Sequence, residues 1–348
     1  MTKPAKKSRA SRGSFPKSRT LETAARIVRE GRRFLVATHV HPDGDALGSA
    51  LALAGGLKKL GKKVKVYNAD PVPYSLKFLP GSGAVTSELR SSDRFDAVFV
   101  VDCSELGRVG DAFLSRLEDF GTSVVLDHHA RGKKDGDVRC VDPKAAASGV
   151  VVGRLLERLG VGLTKEIAVN LYVTLVTDTG WFRYGNTSAE VLRLAAALVA
   201  RGAHPQRISR ALQETAPPER LKLLARVLDS LELHAGGRIG LVTLTRAMLE
   251  ETGGTIEMTD DFVDFPRSVA SVEAAAFLRE APEGWRVSLR SKQAMDVGQV
   301  ATDLGGGGHV RAAGFTMKGD FAAVHDRTVA ALADALRKSP VYKRKTAC

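Results

Sequence analysis

Acidic and imidazole residues recur along this chain in one order, and each group closes or follows an apolar stretch. His39-Val-His-Pro-Asp43-Gly-Asp45 accompanies Phe34–Val40, Asp102 follows Ala97–Val101, Asp127-His128-His129 follows Ser123–Leu126, and Asp178 follows Leu171–Thr177. Short apolar runs with polar ends, alternating with helical patterns, predict an α/β fold with a parallel, doubly wound sheet. Such sheets deliver side chains from the carboxyl ends of several strands into one crevice. An acid at the end of a fully apolar strand is costly unless it is paired or bound to metal. Four Asp with two or three His form an oxygen-and-nitrogen ligand set suited to two divalent cations such as Mn²⁺ or Mg²⁺. Two such ions close together clamp the attacking and leaving oxygens of a phosphoryl displacement.

At 348 residues the chain exceeds a typical single core, and two domains are expected. No apolar run approaches the roughly 20 residues of a membrane span. Cys103, Cys140 and Cys348 lack paired spacing, so reduced thiols and a cytoplasmic location are expected. Residues 1–20 carry seven of the thirteen net positive charges and no acid, leaving +6 for the other 328 residues. This tail has too few apolar residues to fold and reads as a disordered, solubilising extension. It lacks the apolar face of a targeting helix and the apolar segment of a secretory signal. Its sharper reading is an electrostatic handle for RNA.

Helical spacing over Leu21–Glu30 precedes the first strand, and a small-residue helix, Ser49–Leu60, follows the first acidic loop. Val64–Asn68, Ala97–Cys103 and Val124–Asp127 read as further strands; Ser148–Leu159, Lys165–Thr177 and Ser188–Arg201 read as successive helices. Asp178 is therefore expected at the carboxyl end of a helix. Residues 204–235 are expected to be a helical linker, broken at Pro217-Pro218, between a domain over 21–203 and a smaller α/β domain over 236–340. In the latter, strands Ile239–Thr245, Val272–Arg279 and Trp285–Ser291 and helices Val297–Leu304 and Phe321–Arg337 are predicted.

In the first motif Pro42 and Gly44 shape a turn whose alternate positions let Asp43 and Asp45 face different ions. His41 falls between those positions and is assigned to supporting a ligand or touching substrate. Asp127 can orient an imidazole through its second nitrogen. Thr177 and Thr179 are placed to hydrogen-bond the Asp178 carboxylate. In the second domain Ser288-Leu-Arg290-Ser-Lys292 carries two cations on one side of a strand. The run Gly305-Gly306-Gly307-Gly308-His309-Val-Arg311 can present backbone N–H groups and charge to an anion. It is not a Walker loop, because no Gly-Lys-Ser/Thr ends it.

Together these motifs resemble the DHH phosphoesterase superfamily with its associated C-terminal domain, and within it the bacterial oligoribonuclease and 3′-phosphoadenosine 5′-phosphate phosphatase branch. The resemblance runs from about residue 20 to 338 and leaves the basic tail outside it. It implies one Mn²⁺ held by His39 and Asp43, a second held by Asp45, His128 and Asp178, and Asp102 bridging both, with Mg²⁺ or Co²⁺ as substitutes. It further implies His129 on the substrate phosphate, Asp127 behind the histidines, and Arg290, Lys292, Gly306, Gly307, Gly308, His309 and Arg311 as substrate-binding residues. The implied reaction is hydrolysis of short RNA to 5′-mononucleotides and of the 3′,5′-bisphosphate to AMP and phosphate. A homodimer is the expected assembly.

Two enzyme alternatives share the metal motifs: a cyclic or linear dinucleotide phosphodiesterase and a metal-dependent inorganic pyrophosphatase. The glycine–histidine motif and Arg290 disfavour the second. A long-strand exonuclease of the RecJ kind would want further nucleic-acid-binding domains. A non-catalytic RNA-binding protein using the tail is a different class, and the intact ligand set argues against it.

Overall fold

The computed structural model describes residues 19–129, 133–259, 261–292 and 295–339. Most of the basic tail, and Cys348, lie outside them. Two compact units divide the chain, the first through Ile208 and the second from Ser209 onward.

The first unit runs α1 (Arg19–Glu30), β1 (Arg33–Ala37), α2 (Gly44–Lys59), β2 (Lys63–Tyr67), β3 (Val85–Thr86), β4 (Ala97–Val101), α3 (Asp111–Leu114), β5 (Thr122–Asp127), β6 (Val138–Val141), α4 (Ser148–Arg158), α5 (Lys165–Asp178), α6 (Ala189–Ala200) and α7 (Pro205–Gln213), whose last residues pass into the second unit. Its six strands are all parallel, in the order β3-β2-β1-β4-β5-β6. Both faces are covered, which is why the strands read as unbroken apolar runs rather than alternating ones. Leu35, Ala37, Val98, Val100 and Val125 point into a cluster with Phe113 and Phe120, while Phe34, Val36, Phe99 and Val124 are equally buried on the opposite face. Strand order reverses between β1 and β4, and at such a switch point the connections leave in opposite directions and open a crevice.

Small residues bring three helices unusually close beside that crevice. A Cβ added at Gly48 of α2 would lie 2.7 Å from the Asn170 carbonyl of α5, and one at Gly149 of α4 would lie 2.0 Å from Oγ1 of Thr174. Asp43 caps α2 by accepting from the Ala46 N–H at 3.0 Å, and Thr164 caps α5 in the same way.

The second unit holds α8 (Pro218–Asp229), β7 (Glu232–His234), β8 (Ile239–Leu244), α9 (Arg246–Thr252), α10 (Asp264–Ser268), β9 (Ala274–Ala281), β10 (Gly284–Ser291), α11 (Val297–Asp303), β11 (Gly307–Gly308), β12 (Ala312–Met317) and α12 (Phe321–Lys338). Its sheet, ordered β11-β12-β10-β9-β8-β7, is antiparallel except for the β8–β9 pair. Ile239 and Leu241 of β8 face a core with Val300, Leu332 and Leu336, whereas Val242 and Leu244 face Leu223, Val227 and Phe262. The stretch 204–235 is thus not simply a helical linker. Leu223 and Val227 of α8 belong to the second unit's core, and Glu232–His234 form an edge strand of its sheet. Three-residue β7 is too short to break a helical pattern visibly.

No described helix is long and apolar enough to cross a membrane. Because the Asn170 carbonyl is backbone and cannot swing aside, Gly48→Val is expected to destabilise the first unit by about 1–3 kcal/mol, the usual range for overpacking. A fall in thermal midpoint against wild type checks this.

Candidate active site

Three strand ends and one helix end meet at the switch point. The loop after β1 carries His39 and Asp43, and Asp45 lies in the first turn of α2; Asp102 is the first residue past β4; Asp127 ends β5, with His128 and His129 following it; and Asp178 is the last residue of α5. Asp102 stands at the centre, 3% exposed. One of its oxygens, Oδ2, lies 3.4 Å from Nε2 of His39. The other, Oδ1, lies 3.7 Å from Nε2 of His128 and 3.6 Å from Nδ1 of His129. His128 Nε2 also reaches Asp178 at 3.0 Å and Asp45 at 3.8 Å. Donor atoms of His39, Asp43 and Asp102 fall within 4.8 Å of one another, as do those of Asp45, Asp102 and His128. The eight first-unit residues singled out from sequence are therefore in one place.

Backbone geometry aims these groups. Asp102 sits in the left-handed region at φ +56°, which Asp tolerates better than most residues, while its N–H still donates to Leu126 at 3.0 Å. Beyond Asp178, Gly180, Trp181 and Phe182 are all left-handed and turn the chain sharply away from α5. Asp127 accepts from the backbone N–H groups of His128 and His129 and lies 2.6 Å from Nδ1 of His129, which sets that ring's orientation.

The electrostatics follow from crowding. Burial pushes Asp45 well above the usual carboxylate range, and the charges of Asp102, Asp178 and Asp43 push the same way. Asp178 rises to about 6 through burial, reinforced by Asp102 and Asp43 and opposed by His128. Burial would lift Asp102 too, but the His39 contact and the other imidazoles hold it below the ordinary range. Desolvation works against charge on His39 and His128, yet the surrounding carboxylates raise them to about 9 and about 11. Cys103, next to Asp102, is fully buried and its thiol is pushed up to about 12. It packs as a small apolar group and is no nucleophile.

Several contributors were not found from the sequence. Ser148, at the start of α4, donates from Oγ to Asp102 at 2.8 Å and from its N–H to Asp45 at 2.6 Å; the Gly149 N–H donates to Asp45 at 3.1 Å. Ser104 donates to Asp127. Asn68 holds the Thr38 and His39 carbonyls at 3.3 and 2.7 Å; its place directly after the buried end of β2 is the signal that could have marked it. Asn186 donates to the Asp178 carbonyl at 3.0 Å. Thr177 and Thr179 instead donate to Val173 and Leu175 inside α5, not to the Asp178 carboxylate, because helical hydroxyls reach back one turn most easily. His41 is exposed and pairs with Asp70 through its backbone and ring.

In the second unit, Arg290 pairs with Ala312, and the His309 N–H donates to the Ala312 carbonyl at 2.7 Å. Arg290 and His309 thus stand in one row across the sheet, on one face, two strand spacings or about 10 Å apart. Val310 and Arg311 form the hairpin tip. Two of the residues expected to contact an anion have partners within the unit. The Lys292 ammonium is engaged with the Val269 and Ala270 carbonyls, and the Gly306 N–H donates to the Ala301 carbonyl at 2.7 Å. Two of the four glycines are required by packing: a Cβ at Gly306 would lie 2.1 Å from the Gly314 carbonyl, and one at Gly308 would lie 2.5 Å from Ala313.

In the metal-free chain His39 should remain protonated at pH 7.5 and titrate near 9, and Asp102→Asn should lower that value. Its stabilising effect on the metal-free fold is full below the ordinary value of 6.5 and fades as pH rises through about 9. Imidazole chemical shifts followed by NMR across this range check both.

Residues 33–176 match the DHH family, N-terminal domain, and residues 245–338 match the DHHA1 domain. A Thermus thermophilus protein named bifunctional oligoribonuclease and PAP phosphatase NrnA is 37% identical over 305 residues, 87% of this chain and 90% of that one. A Bacillus subtilis protein of the same name is 26% identical over 79% of this chain and 86% of its own length. Among solved structures, an exopolyphosphatase-related protein from Bacteroides fragilis superposes with a TM-score of 0.84 at 26% identity, covering 90% of this chain and 96% of the other. Thermus thermophilus RecJ, solved with Mn²⁺, shares the fold at a TM-score of 0.55 and 18% identity, over 91% of this chain and 55% of RecJ. Matched along most of its length, this chain belongs to the DHH family of phosphoesterases and is a hydrolase of phosphoester bonds.

Proposed function

We propose that the chain hydrolyses short oligoribonucleotides to 5′-mononucleotides and 3′-phosphoadenosine 5′-phosphate to AMP and phosphate, using two Mn²⁺ ions. The observation that carries this reading is Asp102, whose two oxygens face His39 on one side and His128 on the other. The donor set fits divalent cations: buried carboxylates that repel one another, and imidazoles whose proton affinity those carboxylates raise, exchange protons for a metal readily. His39 and Asp43 would hold one ion, Asp45, His128 and Asp178 the other, and Asp102 both. Bound there, such ions supply Lewis-acid charge to the phosphoryl oxygens and lower the proton affinity of water.

The chain's own residues do the rest. Gly149 and Ser148 of α4 hold Asp45, and the Ser148 hydroxyl holds Asp102, so neither carboxylate rotates away when substrate arrives. His129 is twice as exposed as His128, at 22% against 11%. With Nδ1 fixed by Asp127, its opposite edge donates to a phosphoryl oxygen as charge develops there. Arg290, His309 and Arg311 take a phosphate or nucleotide of the substrate, and the relatives' shared name supports nucleotide substrates for this site.

Asp102→Asn should lower Mn²⁺-dependent turnover of a diribonucleotide at least 100-fold with the fold intact; near wild-type rates would refute the bridging role. Arg290→Ala should raise KM and change kcat little. One assay with purified protein decides the substrate: diribonucleotide, 20-mer, 3′,5′-bisphosphate, cyclic di-AMP and pyrophosphate compared side by side. Faster hydrolysis of the cyclic dinucleotide or pyrophosphate than of the first and third would overturn the reading.

A further inference from the structure

The second unit brings together three metal-ligating side chains that belong to no part of the Asp102 centre. Glu232 and His234 lie two residues apart on β7 and so on one face of that strand, and His325 lies on α12, 93 residues from Glu232. Nε2 of His234 and Nε2 of His325 stand 3.1 and 3.0 Å from the same oxygen, Oε2 of Glu232. One donor atom from each of the three residues lies within 4.8 Å of the other two. Behind His325, Oδ1 of Asp326 lies 2.9 Å from Nδ1. The two imidazoles meet edge to face at 5.3 Å, and Phe321 flanks His325 at 5.4 Å.

We propose that Glu232, His234 and His325 form an additional divalent-cation site, of the kind that takes Zn²⁺. Two imidazoles and one carboxylate are a zinc ligand set, and bonds of about 2.0–2.1 Å at tetrahedral angles place neighbouring ligands roughly 3.4 Å apart. The observed 3.0 and 3.1 Å separations need to open by only a few tenths of an ångström. Asp326 provides what a zinc-bound histidine ordinarily has, a carboxylate on its other nitrogen that fixes the tautomer with the Nε2 lone pair facing the ion.

A second observation points to a ligand. Nε2 of His234 is buried yet makes no hydrogen bond among the described residues, although Oε2 of Glu232 lies 3.1 Å away. A cation among the three groups would satisfy it. Glu232 is 43% exposed, so an ion can enter from solvent and keep a water as its fourth ligand. Mn²⁺ and Mg²⁺ favour oxygen-rich, six-coordinate surroundings, so nitrogen-rich Glu232–His234–His325 should select a different ion from the carboxylate-rich centre. Bound there, the ion would fasten the edge strand β7 to the C-terminal helix α12.

Metal content of the full-length protein tests this independently of activity. Protein saturated with Mn²⁺ is dialysed against limiting Zn²⁺, and wild type is compared with His234→Ala, His325→Ala and Glu232→Gln. Wild type should retain one zinc per chain more than each variant, while diribonucleotide hydrolysis is unchanged in all of them. With Co²⁺ in place of Zn²⁺, the intense visible absorption of a four-coordinate ion should appear in wild type and in Asp102→Asn and be missing from the three variants. Equal zinc content in wild type and variants overturns the proposal, as does zinc lost on Asp102→Asn but kept in the histidine variants. Glu232→Gln preserves the side-chain volume, so a loss of zinc there with an unchanged circular dichroism spectrum separates loss of a ligand from loss of the fold.

Discussion

Mutual repulsion among Asp43, Asp45, Asp102 and Asp178 is the constraint around which the first unit is built. Packing carboxylates together inside a protein raises the energy of every charged form; burial first, and the neighbouring carboxylates after it, raise the proton affinities of Asp45 and Asp178. The fold answers with three kinds of positive partner. Imidazoles lie against Asp102 from two sides, the first backbone amides of α4 close on Asp45, and the hydroxyls of Ser148 and Ser104 donate to Asp102 and to the neighbouring Asp127. Charge left over is what a divalent cation would compensate, so architecture and chemistry meet in the same few atoms.

Topology explains why these residues can come from such distant parts of the chain. In a sheet ordered β3-β2-β1-β4-β5-β6, β1 and β4 are neighbours although some 60 residues separate them, and their loops diverge at the switch point. Asp178 arrives by a different route, on the end of α5. The glycines and threonines between α2, α4 and α5 set how closely that helix approaches. Helix packing therefore places one member of the site as firmly as the sheet places the others.

Much of this was legible in the amino-acid order. Apolar runs ending in Asp or His marked β1, β4 and β5 and their functional ends, because a strand buried on both faces admits polar groups only where it stops. Short edge strands were not legible: Val85–Thr86, Glu232–His234 and Gly307–Gly308 are two or three residues each and carry no periodicity. Lys292 illustrates a second limit. Its spacing from Arg290 suggests a shared anion, and that spacing gives no sign that the ammonium also reaches two backbone carbonyls of a remote segment.

What the sequence alone determined is the class of the molecule and the membership of its centre, since composition at strand ends and motif order are local properties that survive without coordinates. The tertiary structure alone decided how the members are held and aimed. Ser148 and Asn68 act through contacts 46 and 29 residues away along the chain, and Gly306 and Gly308 are packed closely against β12. Glu232, His234 and His325 became a cluster only when α12 folded back against β7. Contacts between remote segments depend on the packing of whole elements, and no local pattern encodes that.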